Sequence, residues 1–228
     1  MTPGRTGGAA GTDVLTADRI LDAAEQVLRR YGPGKATVVD VARALGVSHG
    51  SVYRHFPSKL ALRDAVAARW LARVSMPLGA VAGCAEPAPA RLRRWLVELS
   101  GAKRRMARED PELFQTFHAI ATQARGVVTE HLRILAGQIA TIVADGIAGG
   151  DFAPTDPAVA GRAVLHATAR FHHPAHAAEW ADPAIDADLD SVVSLLLSGL
   201  RAVPAADTAI NSAADARPTA PRRRSGSG

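Results

Sequence analysis

Between Ser48 and Lys59 the chain sets out Ser48, His49, Ser51, Tyr53, Arg54, His55 and Lys59 around a glycine at position 50. Helix N-termini and Lys, Arg and Tyr groups bind phosphate, while a minority of polar side chains read base edges. On a short helix, Ser48, His49, Ser51 and Arg54 are free to face outward, and Gly50, with no side chain, permits close approach to a duplex. The chemistry on offer is recognition of a polyanion. Arg54 suits a guanine edge or a phosphate equally. Taken singly, each residue also has an ordinary use: Ser48 and Ser58 cap helices, Tyr53 and His55 pack under Phe56, and Lys59 sits on a solvated surface.

A second group, His166, His172, His173 and His176, lies beside Arg170 and Glu179. His172 and His176 are four apart, a spacing that chelates a metal on a helix, but Pro174 between them breaks that helix. A zinc site needs three or four ligands. Helix-end capping and a polar rim are the plainer use, so no metal or cofactor is expected. The single cysteine, Cys84, excludes an internal disulfide and fits a reducing compartment. The chain has no glycine-rich phosphate loop ending in Lys-Ser/Thr, no His-Glu-x-x-His and no Gly-x-Ser-x-Gly. It is not expected to be an enzyme; metal-dependent hydrolysis at the histidines is the one enzymatic alternative left.

The elements that must position Ser48 to Lys59 are helical. Apolar residues recur at three and four positions throughout, without alternating β-branched runs. The first helix runs from about Thr16 to Tyr31 and ends at Gly32-Pro33-Gly34. Thr37, with Asp40 three residues on, opens a second whose buried face is Val38, Val41, Ala42 and Leu45. Gly46 stops it, and Ser48 caps a third that reaches His55. A fourth starts at Lys59 and continues to about Ser75, long enough to link two domains. After a Gly/Pro/Ala-rich stretch from Pro77 to Pro89, helices follow at 90–108, 111–122, 126–148, 157–172 and 186–203. With 228 residues, 47% of them hydrophobic, one main core and a satellite core can form.

The expected organisation is a flexible segment 1–14, a helix-turn-helix unit 15–60 with the linking helix 59–75, a helical body 76–203, and a disordered basic tail 204–228. Charge follows the same division. Residues 1–75 hold eleven Lys/Arg against six Asp/Glu, residues 76–203 twelve against fourteen, and the tail four against two. A basic first third beside a slightly acidic body is the layout expected where the first third alone meets a polyanion. Met1 to Thr12 lack the apolar run of a secretion signal, and no eighteen consecutive residues are apolar, so a soluble cytoplasmic protein is expected.

The stretch Thr37 to Lys59, with Gly46-Val47-Ser48, Gly50, Tyr53, His55-Phe56 and Ser58-Lys59 in register after an amphipathic helix, resembles the DNA-binding domain of TetR-family repressors. The resemblance covers about residues 16–65. It implies an all-α protein, with an N-terminal three-helix helix-turn-helix domain and a C-terminal helical ligand-binding and dimerisation domain. It further implies that Thr37 caps the second helix and touches a phosphate, that Tyr53, His55 and Lys59 reach phosphates, and that Ser48, His49, Gly50, Ser51 and Arg54 form the recognition face. Leu45 stands where many members carry alanine, and His49 where lysine is frequent, which removes one obligatory charge.

By the same resemblance the last two helices, 157–172 and 186–203, form a homodimer interface, and the middle helices enclose a small ligand. The wide apolar strip Leu189, Val192, Val193, Leu196, Leu197 and Leu200 is more than one monomer face needs. Trp95, Phe114, Phe117 and His118 are the candidate ligand contacts. The reading is a regulator, acting as a repressor, that binds a palindromic double-stranded DNA operator as a dimer and is released by an unidentified small-molecule effector. An architectural DNA-binding protein without an effector is a second alternative.

Overall fold

The computed structural model describes residues 14–201. The expected flexible segment (apart from Val14), the basic tail 204–228 and the last positions of the helix expected over 186–203 lie outside the described residues. Nine α-helices account for most of what is described; the one β pairing among these residues is an isolated bridge between Phe152 and Arg201.

The first helix, α1 (Ala17–Lys35), begins where the Thr16 hydroxyl accepts the Arg19 amide and buries Ile20, Leu21, Ala24, Val27 and Leu28. Its regular run ends as expected at Gly32, whose backbone leaves the helix. In α2 (Val38–Leu45) the expected Thr37/Asp40 pair forms a reciprocal capping box: the Asp40 amide donates to Thr37 Oγ1 and the Thr37 amide to Asp40 Oδ2. Gly46 ends α2 with φ of 68°, a left-handed conformation that costs other residues but not glycine. The turn hands the chain to α3 (His49–His55), capped by Ser48 and anchored by the fully buried Val52.

The linking helix α4 (Lys59–Ala82) is longer than expected. The Gly/Pro/Ala-rich stretch that begins at Pro77 puts its expected end near Ser75. The helix nevertheless runs through Pro77, because the apolar face Val74, Leu78, Val81 and Ala82 is buried on either side of it and tertiary packing outweighs one lost hydrogen bond. The remaining helices are α5 (Ala88–Glu109), α6 (Pro111–Gln123), α7 (Arg125–Ala148), α8 (Pro157–Ala167) and α9 (Ile185–Leu200). The helix expected over 157–172 stops at Ala167. There Thr168 Oγ1 donates to the Val164 carbonyl and His172 Nε2 lies 3.2 Å from the Leu165 carbonyl, so side chains satisfy the last carbonyls and two 3-10 turns follow.

Two hydrophobic cores form. One joins α1, α2, Val52 and the first half of α4 to Phe114, Phe117 and Ile120 of α6 and to Trp180. The other joins the second half of α4 to α5, α7, α8, Phe171 and α9. Helix α4 therefore belongs to both, and α6 shares a core with the helix-turn-helix. By length and composition α7 would suffice to cross a membrane, but here Leu135, Ile139, Ile142 and Val143 make it the centre of the second core. Arg69 and Arg73 of α4 clasp Glu25 of α1, with Asp22 also held by Arg69, so the first helix is tied to the link.

Candidate nucleic-acid interface and effector cavity

The nine residues picked from sequence for DNA recognition lie on one continuous stretch from the start of α2 to the start of α4. Thr37, Ser48, His49, Gly50, Tyr53, Arg54, His55 and Lys59 are exposed, and Ser51 is half-buried. Their arrangement is partly braced. Ser48 Oγ accepts the Ser51 amide and lies 3.0 Å from Ser51 Oγ, and Arg54 Nη2 donates to Ser51 Oγ at 3.1 Å, so the guanidinium is held along α3. The His49 and Tyr53 rings meet edge to face with centroids 6.4 Å apart. Thr37 Oγ1 donates to Asp40 Oδ2 at 2.6 Å, and this bond is the largest influence holding the Asp40 carboxyl below the usual range. Ser58 Oγ accepts the Ala61 amide, fixing the entry into α4 beside Lys59.

A cavity of about 540 Å³ opens where the two cores meet. Trp70 and Leu71 of α4, Lys103 of α5, His118, Ala121 and Thr122 of α6, the face of α7 from Arg125 to Leu135, and His172 to Ala175 wall it. The volume is that of a small-molecule site. Trp70 stacks on Phe117 with centroids 5.1 Å apart and meets Phe114 edge-on, so that wall is stiff. Of the ligand candidates from sequence, His118 lines this cavity. Phe117 is buried behind Trp70, Phe114 faces a separate cleft beside Arg29 and Arg73, and Trp95 is fully buried with its indole N–H donating to Gln138 Oε1.

The cavity's buried polar groups did not stand out in the sequence. Lys103 is only 4% exposed. It continues the stripe Trp95, Leu96, Leu99, Ser100, and a lysine at that helical period was the signal available. Its ammonium lies over the Trp70 ring, 5.4 Å from the centroid, and burial holds its pKa down at about 8. His131 is buried, with Nε2 lacking any hydrogen-bond partner. Burial first, then the charges of Lys103 and His172, push its pKa to about 3. Burial likewise lowers His172 to about 4, against the opposing effect of its hydrogen bond to the Leu165 carbonyl.

The two candidate metal ligands are not brought together. His172 points back at α8, whereas His176 Nδ1 lies 2.7 Å from Glu179 Oε1, and Arg170 joins Glu179 to Asp188. Among the described residues no three His, Cys, Asp or Glu side chains form a group that could hold a metal.

Residues 20–66 match the family described as bacterial regulatory proteins, tetR family, and residues 88–193 match the tetracyclin repressor-like C-terminal domain. A helix-turn-helix-type transcriptional regulator of Mycobacterium tuberculosis, itself uncharacterised, is 31% identical over 156 residues, which is 65% of this chain and 72% of that one. The chain belongs to the TetR family. Like the rest of that family it is a DNA-binding transcriptional regulator, and the Ser48 to Lys59 surface lies within the matched residues 20–66. Two solved structures show the same fold around this TetR-family chain. FadR of Thermus thermophilus, a TetR-family transcriptional repressor in complex with lauroyl-CoA, is 20% identical and superposes with a TM-score of 0.57 over 83% of this chain and 98% of its own. SmeT, the repressor of a multidrug efflux pump of Stenotrophomonas maltophilia, is 19% identical, with a TM-score of 0.58 over 83% and 92%.

Proposed function

We propose that this regulator is a cytoplasmic repressor that binds a palindromic operator as a homodimer and leaves it when a small molecule fills the cavity between α4 and α7. The observation that carries the proposal is the continuity of α4. Lys59, next to the recognition helix, and Trp70 and Leu71, in the cavity wall, stand on one unbroken helix. A ligand that displaces Trp70 or Leu71 therefore tilts the element on which α3 rides. A dimer reads two half-sites at a fixed separation, so a small tilt breaks simultaneous fit. The ligand acts only to the extent that it binds the two states differently.

In this reading residues 15–60 form the reading unit, α4 the link, and 76–203 the effector and dimerisation unit. Ser48, His49, Gly50, Ser51 and Arg54 meet base edges, while Thr37, Tyr53, His55 and Lys59 meet phosphates. Leu195 of α9 and Val159 of α8 leave apolar side chains exposed on both of these helices, which favours a second copy as their partner. The similar folds of two proteins described as repressors, one of them holding an acyl-CoA, favour the same mode of action here.

The test is selection of bound duplexes from a random library at physiological salt, with His55→Ala/Lys59→Ala as control. Enrichment of one palindrome by the native chain and not by the control is expected. An architectural protein would instead enrich no sequence and show a steep salt dependence alone.

A further inference from the structure

The cavity carries a charge pattern that states what its ligand must bring. Lysine is almost never fully buried unless paired, because an isolated cation in an apolar interior is costly. Lys103 is buried and has no carboxylate partner; no Asp or Glu lines the cavity, and the face of Trp70 is the one favourable contact its ammonium makes among the described residues. Beside it, His131 Nε2 is buried without a partner. In its Nε2–H tautomer this ring is a second unused donor. His172 does not compete for the role, since its Nε2–H is directed to the Leu165 carbonyl. Trp70, Leu71, Val128, Leu132 and Leu135 give the lining a continuous apolar part; the other polar groups in it, His118, Thr122, Thr129 and His173, are neutral or cationic, and Arg125 adds another positive charge.

We infer that the effector is an amphipathic anion, an apolar body with one carboxylate or comparable anionic head, seated with the head on Lys103 Nζ and His131 Nε2 and the body along Trp70, Leu71, Val128 and Leu132. A bound anion supplies the missing counter-charge in a water-poor site, where a charge-assisted hydrogen bond is strong. A neutral ligand of the same shape leaves Lys103 unpaired and loses that contribution. The inference rests on the cavity being the effector site, as proposed above.

Two fluorescent probes that share a scaffold separate the charge from the shape: 8-anilinonaphthalene-1-sulfonate and the neutral N-phenyl-1-naphthylamine. Titrated into the full-length chain at neutral pH, the anionic probe should bind at one saturable site per chain and more tightly than the neutral one. Lys103→Met should lower the ratio of anionic to neutral affinity at least about tenfold, His131→Phe should lower it less, and Lys103→Arg should retain most of it. A ratio that Lys103→Met leaves unchanged overturns the anionic head. Leu132→Trp, which fills the cavity from its partly exposed rim, distinguishes the two failures. If it abolishes neutral-probe binding while the ratio is insensitive to Lys103, the cavity stands as a ligand site and the anion does not. If both probes bind the Leu132→Trp chain as before, the cavity is not the site and the inference falls with it.

Discussion

At the scale of single residues, Lys103 is a stability cost that the fold carries. Its pKa of about 8 against an ordinary value of 10.5 means that the unfolded chain binds more protons than the folded one between those two values. Stability therefore rises with pH from about 8 to 10.5 and is lowest, by about 3 kcal/mol, where both states are charged. The buried neighbours His131 and His172 titrate far below this window, so they do not share in it. Lys103→Met should raise the denaturation midpoint at pH 7 and abolish the extra rise above pH 8, read as the difference between wild-type and variant urea curves across pH. A variant less stable than wild type at pH 7 would show that the ammonium contributes to the fold. The residue scale is also where the sequence was most and least legible. The Thr37/Asp40 box and the Ser48 cap are local hydrogen bonds over three residues, readable from spacing. Lys103 and His131, 28 positions apart in sequence, owe their character to two helices meeting at a cavity, which no local pattern carries. For the same reason size and apolarity singled out Trp95 and Phe117, while packing decided that they face inward and His118 lines the cavity.

Among elements, the clearest contrast is between two glycines of the closely packed pair α7 and α8. A Cβ built on Gly161 of α8 would stand 2.5 Å from the Ala136 carbonyl oxygen and 3.1 Å from the Ala140 amide nitrogen of α7, both backbone atoms that cannot swing aside. A Cβ on Gly137 of α7 would meet nothing within 4 Å. Gly161→Ala should therefore push the helices apart and cost about 1–3 kcal/mol, whereas Gly137→Ala should be neutral or stabilise by up to about 1 kcal/mol through helix propensity. Thermal unfolding of the two variants checks this; equal shifts would mean that α8 moves freely on α7. Helix existence and order were legible because a 3.6-residue apolar period persists through each segment. The two misjudged ends, α4 at Pro77 and α8 at Ala167, were set by distant groups: burial of Val74 and Leu78 in the second core, and the return of His172 to the Leu165 carbonyl.

For the whole molecule, α4 joins two cores, and in the proposed mode of action the placement of the reading surface follows from how the second core sits. That makes the assembly of the body as important as the cavity, because an operator of two half-sites is held tightly only by a dimer whose subunits are locked. On α9 the inward face, Leu189 and Val193, is buried, while Leu195 is 74% exposed and Val192 and Leu196 are half-covered. An apolar row of that kind is what a second copy would cover. Leu195→Arg places a charge in the centre of that row and touches no core residue, so the isolated fold should be altered by no more than about 0.5 kcal/mol. The expected result is a native chain with twice the monomer mass by light scattering and a Leu195→Arg chain with the monomer mass. The variant should keep its helix content by circular dichroism and lose at least about 100-fold in operator affinity, since each half-site is then bound alone. A variant that stays dimeric and binds the operator as tightly as the native chain would remove α9 from the interface, and with it the argument that the lean of the second core sets the spacing of the two recognition helices.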